Sequence, residues 1–380
     1  MPLERFKTAI EHIDINEDKC SISPGEHECS PVSGRYAVRA GVLKTVNQVS
    51  FMTVADPVLQ PGDMLLKVRA ATVCGTDIRI LRGHKTAGIR YPSILGHEFS
   101  GEIVDAGGHA AFTIGQRVGI CPQIACGHCS YCLRGAENLC RNLTAVGYEI
   151  DGAFADYVRI PARGVLAGNV FTLPDGLSFE AAALAEPLAC VMNGQDLAGV
   201  RMGDSIVILG AGPIGLLHLK LAQCSGARSI IVSDPNAVRR EAALAAGADK
   251  AVDPAVEDLT DIVRAQTGGL GADVAICAVG VPSLANDAIR IVRKRGRVSL
   301  FAGFPRDAVA ALDVNAIHYG ELTVTGAFGL TRLQFDNALK LIAAGNLRLD
   351  PFITHRFGLA DIETALQVAE QGSAIKVAII

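Results

Sequence analysis

Residues 206–215 read Ile-Val-Ile-Leu-Gly-Ala-Gly-Pro-Ile-Gly, a branched apolar run ending in glycines spaced G-x-G-x-x-G. Few features limit a fold so tightly. The apolar run reads as a strand buried on both faces, and the stretch from Ile214 to Ser225 as a helix. Gly210 permits the tight turn between them, Gly212 lets backbone approach a pyrophosphate, and Gly215 lets helix and strand pack closely. Pro213 and Ile214 open the helix, whose free N–H groups would face the phosphates. Asp234 closes the next apolar run, 19 residues after Gly215. That is near the ~20 expected for a carboxylate on the adenosine ribose 2′-hydroxyl. A carboxylate there repels a 2′-phosphate, so NAD is favoured over NADP. Arg239, with Arg240 beside it, is the counter-signal, since an Arg near that site can accept the phosphate.

The same alternation continues through Ser229–Ser233, Asp273–Ala278 and Arg297–Phe301, with helical stretches such as Val238–Ala246 between them. It argues for a doubly wound parallel sheet with helices on both faces. Upstream, from Arg35 to about Gly119, Tyr36–Val42, Asp63–Thr72 and Gly101–Asp105 are strand-like and set apart by Gly/Pro breaks. Gly152–Ile160 is strand-like again, and a helix is expected from Ser178, a plausible N-cap, to about Leu197. The C-terminal stretch carries a helix at Gln334–Ala344, then Phe352–Phe357 and a last strand, Ala374–Ile380. At 380 residues the chain is longer than one core usually supports. Two α/β domains are the expectation.

A second constraint lies between the halves. Cys126, Cys129, Cys132 and Cys140 place four thiols in the pattern C-x2-C-x2-C-x7-C. Four thiolates can surround one zinc ion tetrahedrally at about 2.3 Å each, leaving no open position. Such a lobe organises a loop without doing chemistry on a substrate. The eleven cysteines, an odd count, together with the lack of an apolar leader after Met-Pro-Leu-Glu-Arg-Phe-Lys, suggest a reducing, cytoplasmic setting. Cys121, Cys190, Cys224 and Cys277 read as buried small apolar residues. With a net charge of -4 and scattered basic residues, the chain has no footprint for nucleic acid, and no apolar run is long enough to span a membrane. Residues 1–33, with His12, Cys20, His27 and Cys29, read as a surface-draped extension.

Two further segments bear on chemistry. Val73-Cys74-Gly75-Thr76-Asp77 is followed by Gly96-His97-Glu98, and Ala185-Glu186-Pro187-Leu188 stands just before the glycine-rich unit. Cysteine, histidine and acid beside a four-cysteine lobe and a dinucleotide fingerprint are hard to assign to chance.

In Cys74-Gly-Thr-Asp77, Gly96-His-Glu98, the cysteine lobe, Glu186-Pro-Leu188 and Gly210-Ala-Gly-Pro-Ile-Gly215, the chain resembles the zinc-dependent medium-chain dehydrogenase/reductase family. Within it the likeness is to the polyol (sorbitol-type) and threonine dehydrogenase branches, and it covers roughly residues 35–380. The resemblance implies a GroES-like β-rich catalytic domain at 34–187 and 328–380, with the structural zinc lobe at 121–141. It implies a Rossmann NAD-binding domain at 188–327. Two zinc ions per chain are implied. The lobe holds the structural one. By the resemblance Cys74 and His97 would ligate the catalytic one, with Glu98 and Glu186 bound directly or through water. Thr76 matches the residue that hydrogen-bonds the substrate oxygen and begins proton transfer.

The implied reaction passes hydride between a secondary alcohol and NAD, the metal lowering the alcohol's pKa. A sugar alcohol or sugar derivative, possibly phosphorylated, leads as substrate; threonine or another amino alcohol is the alternative. A non-catalytic NAD-binding sensor on the same scaffold is a reading of another class. Two positions depart from the family. Arg79 stands where many relatives carry a relay His, so protons would leave through water or Asp77. Ala327-Phe328-Gly329-Leu330 lacks the Arg-Tyr pair of sorbitol-type enzymes. A homodimer or homotetramer is expected through the strand-like segments at 298–304 and 322–326.

Overall fold

Met64–Thr72 (β1) crosses the middle of a seven-stranded sheet, buried at both its ends. The computed structural model describes residues 37–305 and 308–380, so the expected N-terminal extension lies outside the described residues. After β1 the chain makes one short helix, Gly75–Leu81 (α1), whose start is encoded by Cys-Gly-Thr-Asp. The Cys74 thiol accepts the Thr76 N–H, and the Asp77 carboxylate reaches back to the Cys74 N–H. This is a capping box with sulfur in place of the usual hydroxyl. The chain then returns as Glu98–Asp105 (β2), antiparallel to β1. Arg117–Ile120 and Val170–Thr172 extend the sheet beyond β2, and Tyr157–Ile160 pairs with β1.

The helix expected across 178–197 is interrupted. Ser178 caps Phe179–Ala183 by accepting the Ala181 N–H at 3.1 Å, and a separate helix, Ala185–Ala198 (α2), begins after Leu184. Pro187 explains the break. It has no N–H to give to residue 183, and its ring would collide with that carbonyl in a continuous helix. The interruption makes Glu186 and Pro187 first-turn residues of α2, where no internal hydrogen bond is required of them.

The alternating apolar runs become one sheet of six parallel strands. Ser205–Leu209 (β3) leads through Pro213–Cys224 (α3) to Ser229–Ser233 (β4). Lys250–Val252 and Ala272–Cys277 follow, then Val292–Leu300 (β5) and Thr323–Gly326 (β6). In space, β3 lies between β4 and Ala272–Cys277, so the order reverses beside β3. All five β3 residues are buried, the signature of a strand covered on both faces.

The C-terminal segment then rejoins the first sheet. Lys376–Ile379 (β7) pairs antiparallel with β1 and parallel with Ile353–Phe357. Strands from before and after the parallel sheet are thus neighbours.

His218, in α3, marks how dry the interior is. It is fully buried, its ring lies edge-on to Phe301, and Nε2 has no hydrogen-bond partner. Burial pushes its pKa down to about 3, against 6.5 when unfolded. The unfolded chain therefore binds a proton below pH 6.5 that the folded chain refuses. This contribution to stability is intact above pH 6.5 and is lost as the pH falls toward 3, at up to about 1.4 kcal/mol per pH unit. Denaturant titrations of wild type and H218Q between pH 7 and 4.5 should show the slope reduced by about that amount in the variant.

Candidate active site

Two turns bring the chemistry-bearing residues together. Cys74 ends the β1–α1 corner, and His97 and Glu98 stand at the start of β2, directly after Gly96. Gly96 has φ +95°, a region L side chains avoid, and a Cβ there would strike Phe154. Hence the glycine of Gly-His-Glu. The Cys74 sulfur, a His97 ring nitrogen and a Glu98 carboxylate oxygen all lie within 4.8 Å of one another.

Asp77 is fully buried. Oδ2 accepts the Cys74 N–H at 2.9 Å, while Oδ1 lies 3.3 Å from His97 Nδ1. Neither Oδ1 nor Nδ1 has another partner, so the carboxylate turns the imidazole with Nε2 away from itself. Burial opposes a charge on His97, yet Asp77 and the Cys74 thiolate outweigh it and raise the imidazole well above its ordinary pKa. The Asp77 carboxylate and the Cys74 sulfur put negative charge beside the buried His97 ring, an arrangement that a metal cation would balance.

Glu98 is committed on both oxygens. Lys376 Nζ, from β7, lies 2.7 Å from Oε1 and 2.5 Å from Oε2, and the Thr72 hydroxyl donates to Oε2. Burial works against the Lys376 charge, but Glu98 prevails and raises its pKa. Glu186 lies outside the 4.8 Å cluster. Burial, aided by the Glu98 charge, raises it to about 7, while His97 and Lys376 pull it the other way. The Cys190 thiol, one turn later on α2, lies 3.6 Å from Glu186 Oε1. A thiol, an imidazole and carboxylates gathered in one buried place are the donor types that fit a divalent cation of borderline softness such as zinc.

Thr72, Tyr148 and Lys376 were not visible as site residues in the sequence. Tyr148 Oη is 3.4 Å from His97 Nε2. Lys376 carried one signal, a lysine opening an otherwise apolar terminal strand. Cys121 and Cys277 are buried as expected, but Cys224 is exposed at the end of α3, and Cys190 is half-buried against Glu186.

The lobe is also assembled. Sγ–Sγ separations are 3.5 Å for Cys129–Cys132, 3.9 Å for Cys126–Cys132 and 4.0 Å for Cys129–Cys140. A tetrahedron with metal–sulfur bonds near 2.3 Å has edges of about 3.8 Å. The Cys126 and Asn142 N–H groups point at Cys140 Sγ, and backbone N–H donors lower Cys129 to about 6. Both suit thiolates. Glu137 anchors the lobe through Arg332 at 2.7 Å, and Asn138 donates to the Phe328 carbonyl. The segment lacking the Arg-Tyr pair is thereby tied to the lobe.

At the nucleotide turn the three glycines behave as their spacing requires. Gly210 has φ +103°, a Cβ on Gly215 would come within 1.9 Å of the Gly210 carbonyl oxygen, and a Cβ on Gly212 would meet open space. Pro213 and Ile214 open α3. Asp234, buried after β4, accepts the Ala211 and Asn236 N–H groups, both at 2.8 Å, so it is fixed against the turn. Arg240 is occupied by the Asp234 carbonyl and by Asp253, each at 2.8 Å, and is not free to receive a phosphate. Arg239 is half-buried and passes beside Gly372.

Comparison with known proteins agrees with this assembly. Residues 60–174 match the alcohol dehydrogenase GroES-like domain, and residues 213–344 match the zinc-binding dehydrogenase family. The chain is 36% identical over 322 residues to L-threonine 3-dehydrogenase of Pyrococcus horikoshii, covering 83% of this chain and 90% of that protein. Among solved structures, a zinc-binding dehydrogenase of Sinorhizobium meliloti bound to NADP superposes with TM-score 0.84 at 33% identity. That match covers 90% of this chain and 99% of the other. L-Idonate 5-dehydrogenase of Escherichia coli gives TM-score 0.80 at 26% identity, covering 90% and 98%.

Metal content separates the two clusters. Dialysed wild-type protein should hold two zinc ions per chain by elemental analysis. C129S and C74S should each hold one, and C129S should show the larger drop in Tm, because a closed structural site contributes directly to folding. Two ions retained in either variant would contradict the assignment.

Proposed function

This chain belongs to the zinc-dependent medium-chain dehydrogenase/reductase family, and from that premise we propose that it oxidises a secondary alcohol to a ketone with NAD as hydride acceptor. The observation that carries the reading is the preassembled Cys74–His97–Glu98 cluster, with Glu186 nearby, in the same chain as a glycine turn open at Gly212. When bound, zinc lowers the pKa of an alcohol oxygen, and NAD accepts the hydride.

The protein's own residues supply position and a proton path. Cys74 and His97 would hold the metal, and Asp77 holds both of them in place. Glu98 is drawn toward Lys376 and Thr72, so Glu186 is the carboxylate left to complete a site for a bound cation. Thr76 is half-exposed, and its N–H is fixed on Cys74 Sγ at 3.4 Å. Its hydroxyl takes the alcohol proton and passes it to water. Asp77, expected as an outlet, serves His97 instead, being fully buried and engaged on both oxygens. Arg79 cannot relay a proton, because its guanidinium does not deprotonate. Asp234, held at the turn, favours the ribose 2′-hydroxyl of NAD over a 2′-phosphate.

Threonine and idonate, the substrates in the relatives' names, are secondary alcohols with a polar group on at least one adjacent carbon. A sugar derivative and a threonine-type amino alcohol fit this site equally. Residues 34–187 and 328–380 would form the catalytic domain and 188–327 the nucleotide domain. β6 stands at the end of its sheet, and we place homo-oligomer contacts on its outer edge. The cysteines among the described residues are all free thiols, in keeping with a cytoplasmic location, and no helix among them is long and apolar enough to cross a membrane.

C74S should abolish NADH formation while leaving NAD affinity within about twofold of wild type. T76V should lower kcat roughly 10²–10⁴-fold, the usual range for losing a proton-transfer group. Unchanged kcat in T76V would remove the hydroxyl from the path.

A further inference from the structure

The segment from Arg79 to Arg90 carries Arg79, Arg82, His84, Lys85 and Arg90. Two of these are neutralised on the surface. Arg82 is paired with Glu370 and bonded to Asn47, and Arg90 lies 2.6 Å from Asp151. His84 is exposed. Arg79 and Lys85 are half-buried and make no ion pair among the described residues.

Lys85 also stands one side chain away from the site, whose buried cation, Lys376, is already committed to Glu98. Lys85 Nζ sits 3.4 Å from the centre of the Tyr148 ring, and the Tyr148 hydroxyl is 3.4 Å from His97 Nε2. The Arg79 guanidinium runs beside Gly303, just past β5, where a Cβ would come within 3.1 Å of Nη1. The backbone fixes the arrangement. The N–H groups of His84 and Lys85 both donate to the Arg79 carbonyl, at 2.8 and 3.1 Å, folding the loop back on the end of α1. Burial lowers the Lys85 pKa and Arg79 adds to that, while Glu149, Asp77 and Cys74 oppose it without forming an ion pair. A half-buried ammonium loses hydration, and an aromatic face alone returns only part of it.

We propose that Lys85, supported by Arg79, is an anion-recognition site at the mouth of the catalytic centre, and that the physiological alcohol carries a carboxylate or phosphate within a few bonds of its hydroxyl-bearing carbon. This rests on the dehydrogenase reading above and narrows its substrate class. The anion takes the place of the carboxylate that Lys85 lacks, and Tyr148 sets the spacing between that anion and the metal ligands.

Matched pairs test it. Zinc-loaded enzyme with NAD is assayed on 3-hydroxybutanoate against 2-pentanol, and on sorbitol 6-phosphate against sorbitol. The charged member of at least one pair should have kcat/KM about tenfold or more above its neutral partner, the range of one charged hydrogen bond. Which pair responds distinguishes carboxylate from phosphate. K85M should collapse that ratio, and K85R should restore most of it. Equal kcat/KM within both pairs, or a ratio that survives in K85M, overturns the inference. Calorimetric titration of the same four compounds into NAD-loaded enzyme keeps the two proposals separable. Charge-selective binding that K85M abolishes, with no turnover of any compound, would sink the dehydrogenase reading and leave the anion site standing. Turnover without charge preference sinks the anion site alone.

Discussion

The site depends on one buried carboxylate. Asp77 reaches back to the Cys74 backbone with one oxygen and faces the His97 ring with the other. The first contact starts α1 and fixes Cys74; the second orients an imidazole that arrives from another strand. A carboxylate in a fully buried place is costly unless positive charge and hydrogen bonds surround it. Here His97 and a bound metal would meet that cost together. The same group therefore serves helix capping and ligand alignment.

A second buried charge binds the two ends of the chain to the same centre. Glu98 lies at the start of β2 and Lys376 at the start of β7, and both flank β1. Breaking this pair from one side would strand a charge in the interior, so the return of the C-terminal strand is coupled to the state of the site. The parallel sheet between these segments supplies the cofactor turn, where Gly215 permits contact with the Gly210 carbonyl and Asp234 is held by two backbone N–H groups. Each sheet thus contributes a preorganised half of one reaction.

Much of this was legible because it is local. The cysteine lobe and the glycine turn are each written within fifteen residues or fewer, and their geometry follows from spacing; the capping box at Cys74–Asp77 is as local, though the segment was read only for its chemistry. Long-range partners were not. Lys376 meets Glu98 across 278 positions, and Tyr148 reaches His97 across 51. Nothing in either neighbourhood specifies the other. The helix break at Leu184 could have been read from Pro187, since a proline in the third helical position removes the very bond a continuous helix would need. Cys224 shows the opposite case, an apolar-looking thiol left exposed because its helix ends there.

The most direct test is the zinc affinity of D77N, measured by competition with a chromogenic chelator while the lobe cysteines remain intact. A 10- to 100-fold loss is expected at one site per chain, the usual effect of removing a carboxylate behind a ligating histidine, with the lobe's zinc retained. Unchanged affinity at both sites would show that Cys74 and His97 need no such carboxylate and would contradict that role for Asp77.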